Sequence, residues 1–352
     1  MKIMRIKKKI MYKWQFIVSL MWVLCATMVH AEEKSPTDFF TFLPLDAQTK
    51  TWLANLNEHK DPRLFKDIPL ASLREQPPYT QCKRQEIDTI QTISIEGPHG
   101  SIPIRLYTPK TDASSLPVLI YFHGGGWALG NLDAYDNVCQ SLASKAQCLV
   151  VSIDYHLAPE YPFPAPLQDC YEGVKWAANN IANYKGDPSR LAVGGDSAGG
   201  NLAAAVTLMA RDLNEIKLMC QVLIYPALSY QFDTLSYEIF KEDYFLTQEH
   251  MKCFWEYYVK DQDRKNPYIS PLRAQSLRNL PPALLIVADC DVLRDEALAY
   301  GWRLQNEGVP LNLKKYGSIH GFIGLDCFDI GKQAMEEIGD TLKKALHAVP
   351  AS

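Results

Sequence analysis

The chain has 352 residues, 47% of them hydrophobic, and a formal net charge of −4. A chain of that size buries enough apolar surface for one large domain, or a domain with a cap, without disulfide staples. The mild acidity excludes a nucleic-acid binder, which needs a basic excess. No C-x-x-C, H-E-x-x-H or G-x-x-x-x-G-K-[ST] pattern points to a metal or a nucleotide, so no cofactor is expected.

Residues 1–31 differ from the rest. Lys2, Arg5, Lys7, Lys8, Lys9 and Lys13 precede an apolar stretch from Phe16 to Val29, and Ala31 stands before Glu32-Glu33. A basic start, a short apolar centre and a small residue at an acidic boundary describe a secretory signal peptide. The expected location is periplasmic or secreted, with no membrane insertion after cleavage; an uncleaved N-terminal anchor is the alternative. Loss of these six positive charges takes the chain from −4 to −10 and leaves eight cysteines. Cys148, Cys170 and Cys220 sit in apolar surroundings and read as small buried hydrophobes.

Residues 32–85 are punctuated by proline and rich in aromatics (Phe39, Phe40, Phe42, Trp52, Phe65), which marks them as an N-terminal cap segment. The catalytic domain is expected over 86–352. Strands are predicted at Thr92–Ile95, Ile104–Tyr107, Val118–Phe122, Cys148–Ile153, Leu191–Val193, Val222–Tyr225, Ala283–Ala288 and Leu311–Tyr316. Helices are predicted at about 134–146, 166–183, 200–213, 293–307 and 331–347. Alternation of strands with helices demands parallel pairing, hence an α/β fold with a mostly parallel, doubly wound sheet. Residues 229–270 break the alternation and carry eleven aromatics, Phe245, Phe254 and Trp255 among them. They are expected to pack on the N-terminal segment as a helical cap, with an apolar pocket beneath.

Three stretches carry chemistry. The strand ending at Phe122 runs into His123-Gly124-Gly125-Gly126-Trp127. Backbone N–H groups in such a run, joined by the N–H after a nucleophile, can hold an oxyanion; the expected donors are Gly124, Gly125 and Ala198. Leu129 stands where a dinucleotide fingerprint needs its third glycine, which argues against that reading. Next, Gly195-Asp196-Ser197-Ala198-Gly199 lies between a strand and a helix, with Ser197 at the apex of a tight turn. Side chains at 195 and 199 would collide there. Finally, the serine needs a base. Of the histidines after Ser197, His347 lies in a C-terminal helix and His250 at a polar helix start. His320 follows a strand, where such sheets keep their chemistry. Two aspartates, Asp289 and Asp291, end the preceding apolar strand and compete for the acid's role. Asp295 and Glu296 fall in the first turn of the next helix, where the macrodipole accounts for them.

Four landmarks resemble the bacterial branch of the hormone-sensitive lipase family of serine esterases: His123–Trp127; Asp154-Tyr155-His156-Leu157-Ala158-Pro159-Glu160 followed by Tyr161-Pro162-Phe163-Pro164-Ala165; Gly195–Asn201; and Asp291–Glu296 with His320-Gly321-Phe322. The resemblance implies an α/β-hydrolase fold and a Ser197, Asp291, His320 triad. It also implies hydrolysis of short- to medium-chain carboxylic esters, a small-molecule substrate, without a cofactor. Amide or carbamate hydrolysis on the same triad, or a non-catalytic ligand receptor, are the alternatives; a homo-oligomer is compatible with either. Asp154 and Glu160 read as structural, satisfying backbone groups of the proline-rich loop. The chain departs from the family at Asp289, where Glu is common, at Val292, where proline is common, and at Cys290.

Overall fold

Eight strands assemble into one sheet in this computed structural model, which describes residues 41–61, 63–75, 85–325 and 328–347. The signal-like segment 1–31, and residues 32–40 and 76–84 of the N-terminal segment, lie outside the described residues. The strands are β1 (Thr89–Gly97), β2 (Gly100–Thr108), β3 (Leu116–Phe122), β4 (Leu149–Ile153), β5 (Gly186–Asp196), β6 (Cys220–Ile224), β7 (Ala283–Cys290) and β8 (Leu311–Ile319). Their order is β1-β2-β4-β3-β5-β6-β7-β8. From β4 to β8 all neighbours are parallel. β1 and β2 are antiparallel, and β2 is antiparallel to β4. The parallel rule fails at this edge because no helix separates β1 from β2, and so short a link allows only a hairpin return.

Every residue of β3, β4, β6 and β7 is buried, as befits strands covered on both faces. The helices are α1 (Ala47–Glu58), α2 (Leu70–Arg74), α3 (Asp136–Ala146), α4 (Ala165–Asn180), α5 (Ala198–Leu213), α6 (Leu235–Phe240), α7 (Gln248–Val259), α8 (Arg294–Asn306) and α9 (Asp329–His347). α3 and α9 share a core with the sheet, where Leu142, Met335 and Ile338 meet Leu119, Ile286 and Tyr316. The chain leaves β3 for β4 on one side, while β5 lies on the other. The loops after β3 and β5 therefore part at the carboxyl ends of the sheet, where open α/β sheets form their crevice.

The insertion between β6 and β7 is tied down by acids of α8. Glu296 is buried, and its Oε1 accepts the N–H groups of Leu228 (2.6 Å) and Ser229 (3.2 Å). Asp295 Oδ2 accepts the Ser236 N–H at 2.8 Å. The sequence expectation gave these acids to the helix dipole alone; their partners show that they also dock the insertion. Burial pushes the Glu296 carboxyl well above its ordinary range. A carboxyl whose pKa is raised by folding lends stability while it stays protonated, and that contribution fades as pH rises. Glu296→Gln removes the cost of ionisation. Its melting temperature relative to wild type should therefore climb as pH rises above the ordinary carboxyl range of about 4.5. Thermal scans showing a constant difference would contradict this.

Candidate active site

The turn from β5 to α5 holds Ser197 at φ 57° and ψ −119°, a conformation that costs a non-glycine residue on the order of 1–3 kcal/mol. It persists because its flanks allow very close packing. A Cβ on Gly199 would lie 1.9 Å from the Phe122 carbonyl oxygen, and one on Gly195 would lie 2.4 Å from that of Gly199. The predicted collision at 195 and 199 is what the backbone shows. Ser197 N–H donates to the Ile224 carbonyl at 2.8 Å, which fixes the apex against β6.

Two further strand ends complete a relay. β8 ends at Ile319, and His320 follows it; β7 ends at Cys290, and Asp291 follows it. His320 Nδ1 lies 2.7 Å from Asp291 Oδ2, and His320 Nε2 lies 2.8 Å from Ser197 Oγ. A carboxylate only accepts, so Nδ1 carries the proton and Nε2 is left to accept from the serine hydroxyl. Asp291 Oδ1 accepts the Leu293 N–H at 2.9 Å. Asp289 has other partners: its Oδ2 accepts the Leu43 N–H at 2.7 Å, and its Oδ1 lies 3.4 Å from Lys315 Nζ. Of the two competing aspartates, only Asp291 joins the histidine. Burial pushes the Cys290 thiol up to about 11, so it stays protonated beside the acid and does not compete as a nucleophile.

The glycine loop after β3 corrects one expectation. Gly124 N–H is already committed, to Asp196 Oδ1 at 3.1 Å and Tyr135 Oη at 3.0 Å. Among the described residues, the N–H groups of Gly125, Gly126 and Ala198 donate to no protein atom. A trans peptide points its carbonyl and its N–H in opposite directions, so holding the oxygen aims the N–H. All three oxygens are held. The Gly124 carbonyl accepts His123 Nδ1–H at 2.8 Å, which directs Gly125 N–H. The Gly125 carbonyl accepts the N–H groups of Ala128 (3.1 Å) and Leu129 (2.8 Å), which directs Gly126 N–H. The Ser197 carbonyl accepts those of Asn201 (3.0 Å) and Ala227 (3.2 Å), which directs Ala198 N–H. Gly125 sits at φ +109°, where a Cβ would meet the Leu129 carbonyl oxygen at 2.3 Å. The free donors are Gly125, Gly126 and Ala198, not Gly124.

Electrostatics keep this wall rigid. Full burial pushes the His123 imidazole down to about 4, so it is neutral at pH 7 with its one proton on Nδ1. Asp196 accepts from Tyr121 Oη (2.9 Å), Tyr135 Oη (2.9 Å) and Gly124 N–H, although burial raises its carboxyl above the ordinary range. Asp154 is pushed up to about 6 by burial, and its Oδ1 lies 4.0 Å from His123 Nε2.

Ser197, His320 and the glycine loop open onto a cavity of about 560 Å³, within the usual range for small-molecule sites. Its apolar wall includes Trp52, Phe65 and Leu73 from the N-terminal segment and Phe245, Met251 and Phe254 from the insertion. The two segments touch directly. Phe65 packs on His250 (4.5 Å) and Phe254 (5.1 Å), and Trp52 on Phe245 (5.8 Å). Trp255 and Tyr258 instead clamp Trp127 at 4.4 and 4.5 Å, so these aromatics hold the glycine loop and do not line the pocket. Among the described residues no group of three His, Cys, Asp or Glu side chains could hold a metal ion.

Sequence reasoning missed Tyr135, Gly126 and Asn201. The Asn201 Nδ2 is buried and donates to the carbonyls of Ala227 (2.8 Å) and Ile269 (2.9 Å), pinning both ends of the insertion to the elbow helix. Its place in Gly199-Gly200-Asn201 was the available signal; the other two depend on peptide orientation.

The chain matches a family described by the alpha/beta hydrolase fold over residues 119–324. It is 41% identical over 250 residues to the carboxylic ester hydrolase LipN of Mycobacterium tuberculosis, covering 69% of this chain and 66% of that protein. It is 38% identical over 226 residues to an arylesterase of Saccharolobus solfataricus, covering 63% of this chain and 73% of that one. Among solved structures, a thermostable esterase from Pseudomonas putida superposes with a TM-score of 0.83 at 32% identity, covering 90% of this chain and 100% of its own.

A serine hydroxyl hydrogen-bonded to an imidazole nitrogen is primed to attack phosphorus as well as carbon. Intact-mass analysis should find one fluorophosphonate adduct on the wild type and none on Ser197→Ala. The labelling rate of His320→Ala should fall by about a hundredfold or more.

Proposed function

This chain belongs to the α/β-hydrolase family, in the branch of hormone-sensitive-lipase-like esterases, and from that membership we propose that it is a serine carboxylesterase acting on short- to medium-chain carboxylic esters. The observation that carries the reading is the unbroken Asp291–His320–Ser197 hydrogen-bond chain beside three undonated N–H groups.

The chemistry follows from that arrangement. Ser197 Oγ attacks the ester carbonyl carbon while its proton passes to His320 Nε2. The carbonyl π electrons move to oxygen, and the oxyanion accepts from Gly125, Gly126 and Ala198. Each such donor lowers the barrier by roughly 3–4 kcal/mol. Asp291 keeps the imidazole in the correct tautomer and stabilises the imidazolium. As the carbonyl re-forms, the ester C–O bond breaks and His320 Nε2–H protonates the leaving alkoxide. Water, deprotonated by His320, then attacks the acyl-enzyme; the carboxylic acid leaves and Ser197 regains its proton. The apolar wall would receive the acyl chain or alcohol and exclude bulk water.

Export to the periplasm or medium is supported by the residue pattern of 1–31. No described helix is long and apolar enough to cross a membrane.

The reading is tested with p-nitrophenyl esters from acetate to palmitate, beside a matched anilide. Turnover should peak between acetate and decanoate, exceed anilide hydrolysis, and fall in Ser197→Ala by about five orders of magnitude. A maximum beyond decanoate would make it a true lipase, and preference for the anilide an amidase. For export, N-terminal sequencing of the native extracellular or periplasmic protein should begin at Glu32; an uncleaved N-terminus on membranes would overturn it.

A further inference from the structure

Arg74 is the last residue of α2 and reaches from the N-terminal segment to the glycine loop. Its Nε–H donates to the Ala128 carbonyl at 2.9 Å and its Nη2 to the Ala158 carbonyl at 3.0 Å. Glu160 grips the other face of the guanidinium, with Nη1 to Oε1 at 2.9 Å and Nη2 to Oε2 at 2.8 Å. Glu160 therefore meets the Ala128 and Ala158 carbonyls through Arg74, which refines the structural role the sequence assigned it.

The oxygen that Arg74 holds belongs to the peptide joining Ala128 to Leu129. The N–H of that peptide donates to the Gly125 carbonyl at 2.8 Å, and the peptide of that carbonyl carries Gly126 N–H. The order is Arg74 Nε–H, Ala128 carbonyl, Leu129 N–H, Gly125 carbonyl, Gly126 N–H. A fixed cation thus heads a chain of two peptide dipoles that ends at an oxyanion donor. The Trp127 carbonyl accepts Ala158 N–H at 2.8 Å, so Arg74 and the Ala158 peptide hold the turn from two sides.

We propose that Arg74 is a positioning residue for the Gly126 donor, polarising and orienting it through two peptides. It makes catalysis depend on seating of the N-terminal segment. The inference rests on the esterase reading, since only a developing oxyanion draws on Gly126 N–H. Three physical effects converge here. A guanidinium cannot lose its proton at working pH. A hydrogen bond to a charged donor is stronger than a neutral one. Successive bonds in a partly buried chain polarise one another.

The test compares wild type with Arg74→Met, which keeps the aliphatic volume, and with Arg74→Lys and Arg74→Ala. On p-nitrophenyl butyrate, kcat of Arg74→Met should fall by about 30- to 100-fold, with KM changed by less than about twofold. Arg74→Lys should retain more activity than Arg74→Met. Added guanidinium at low millimolar concentration should partly restore kcat of Arg74→Ala and leave Arg74→Met unmoved. The fluorophosphonate labelling rate should drop in parallel, because the phosphoryl oxygen uses the same donors. Variants that melt like wild type but keep kcat and labelling rate would overturn the proposal. So would a loss confined to KM, which would make Arg74 only part of the cavity wall. Should wild type label yet turn over no ester, the esterase reading fails, while the labelling comparison still decides the role of Arg74.

Discussion

The approach of the Gly199 backbone to the Phe122 carbonyl is the constraint on which the site depends. Only hydrogen on the Gly199 Cα fits there, and the fit lets α5 begin directly beside the end of β3. Two loops that are far apart in sequence then face one crevice. The strain at Ser197 follows from the same contact, since a relaxed turn would move the helix away. Strain of a few kcal/mol is affordable in a sheet whose central strands are buried on both faces.

Around this contact the protein arranges peptide groups as it would side chains. Each free N–H is aimed by a bond to the oxygen on the far side of its peptide plane, and the holders differ: a neutral imidazole, a tight turn, and two N–H groups at the elbow. Such donors need no reorganisation when charge develops, which is where much of an enzyme's advantage over water lies. The buried acids nearby serve placement. Asp196 engages the Gly124 N–H, and Asp289 anchors the N-terminal segment through Leu43.

The sequence made the sheet, the elbow and the histidine legible because each rests on local pattern: apolar runs, a glycine pair flanking a serine, and a histidine after a strand. All eight strands lie where strands are predicted, though β5 reaches back to Gly186 through polar residues that pattern alone would leave as loop. Choosing between Asp289 and Asp291 needed more, because both end the same strand. Pleating sends neighbouring side chains to opposite faces, but residues at 289 and 291 share a parity, so only the partners decide. Gly124 was misassigned for a related reason. Three consecutive glycines look alike in sequence, whereas their N–H groups point in directions set by Asp196, His123 and Leu129. Arg74 lay beyond sequence reading because, Glu160 apart, its partners are backbone oxygens, which every residue carries.

The docking of the insertion by Asp295 and Glu296 has a bearing on engineering. Those acids stand four and five positions after Asp291, in the turn that the triad acid itself opens. A lid transplanted from a relative would meet foreign anchors within one helical turn of the machinery. Lid and anchor therefore form one unit of exchange, and chimeras that carry residues 292–296 along with the graft stand the better chance of retaining a working triad.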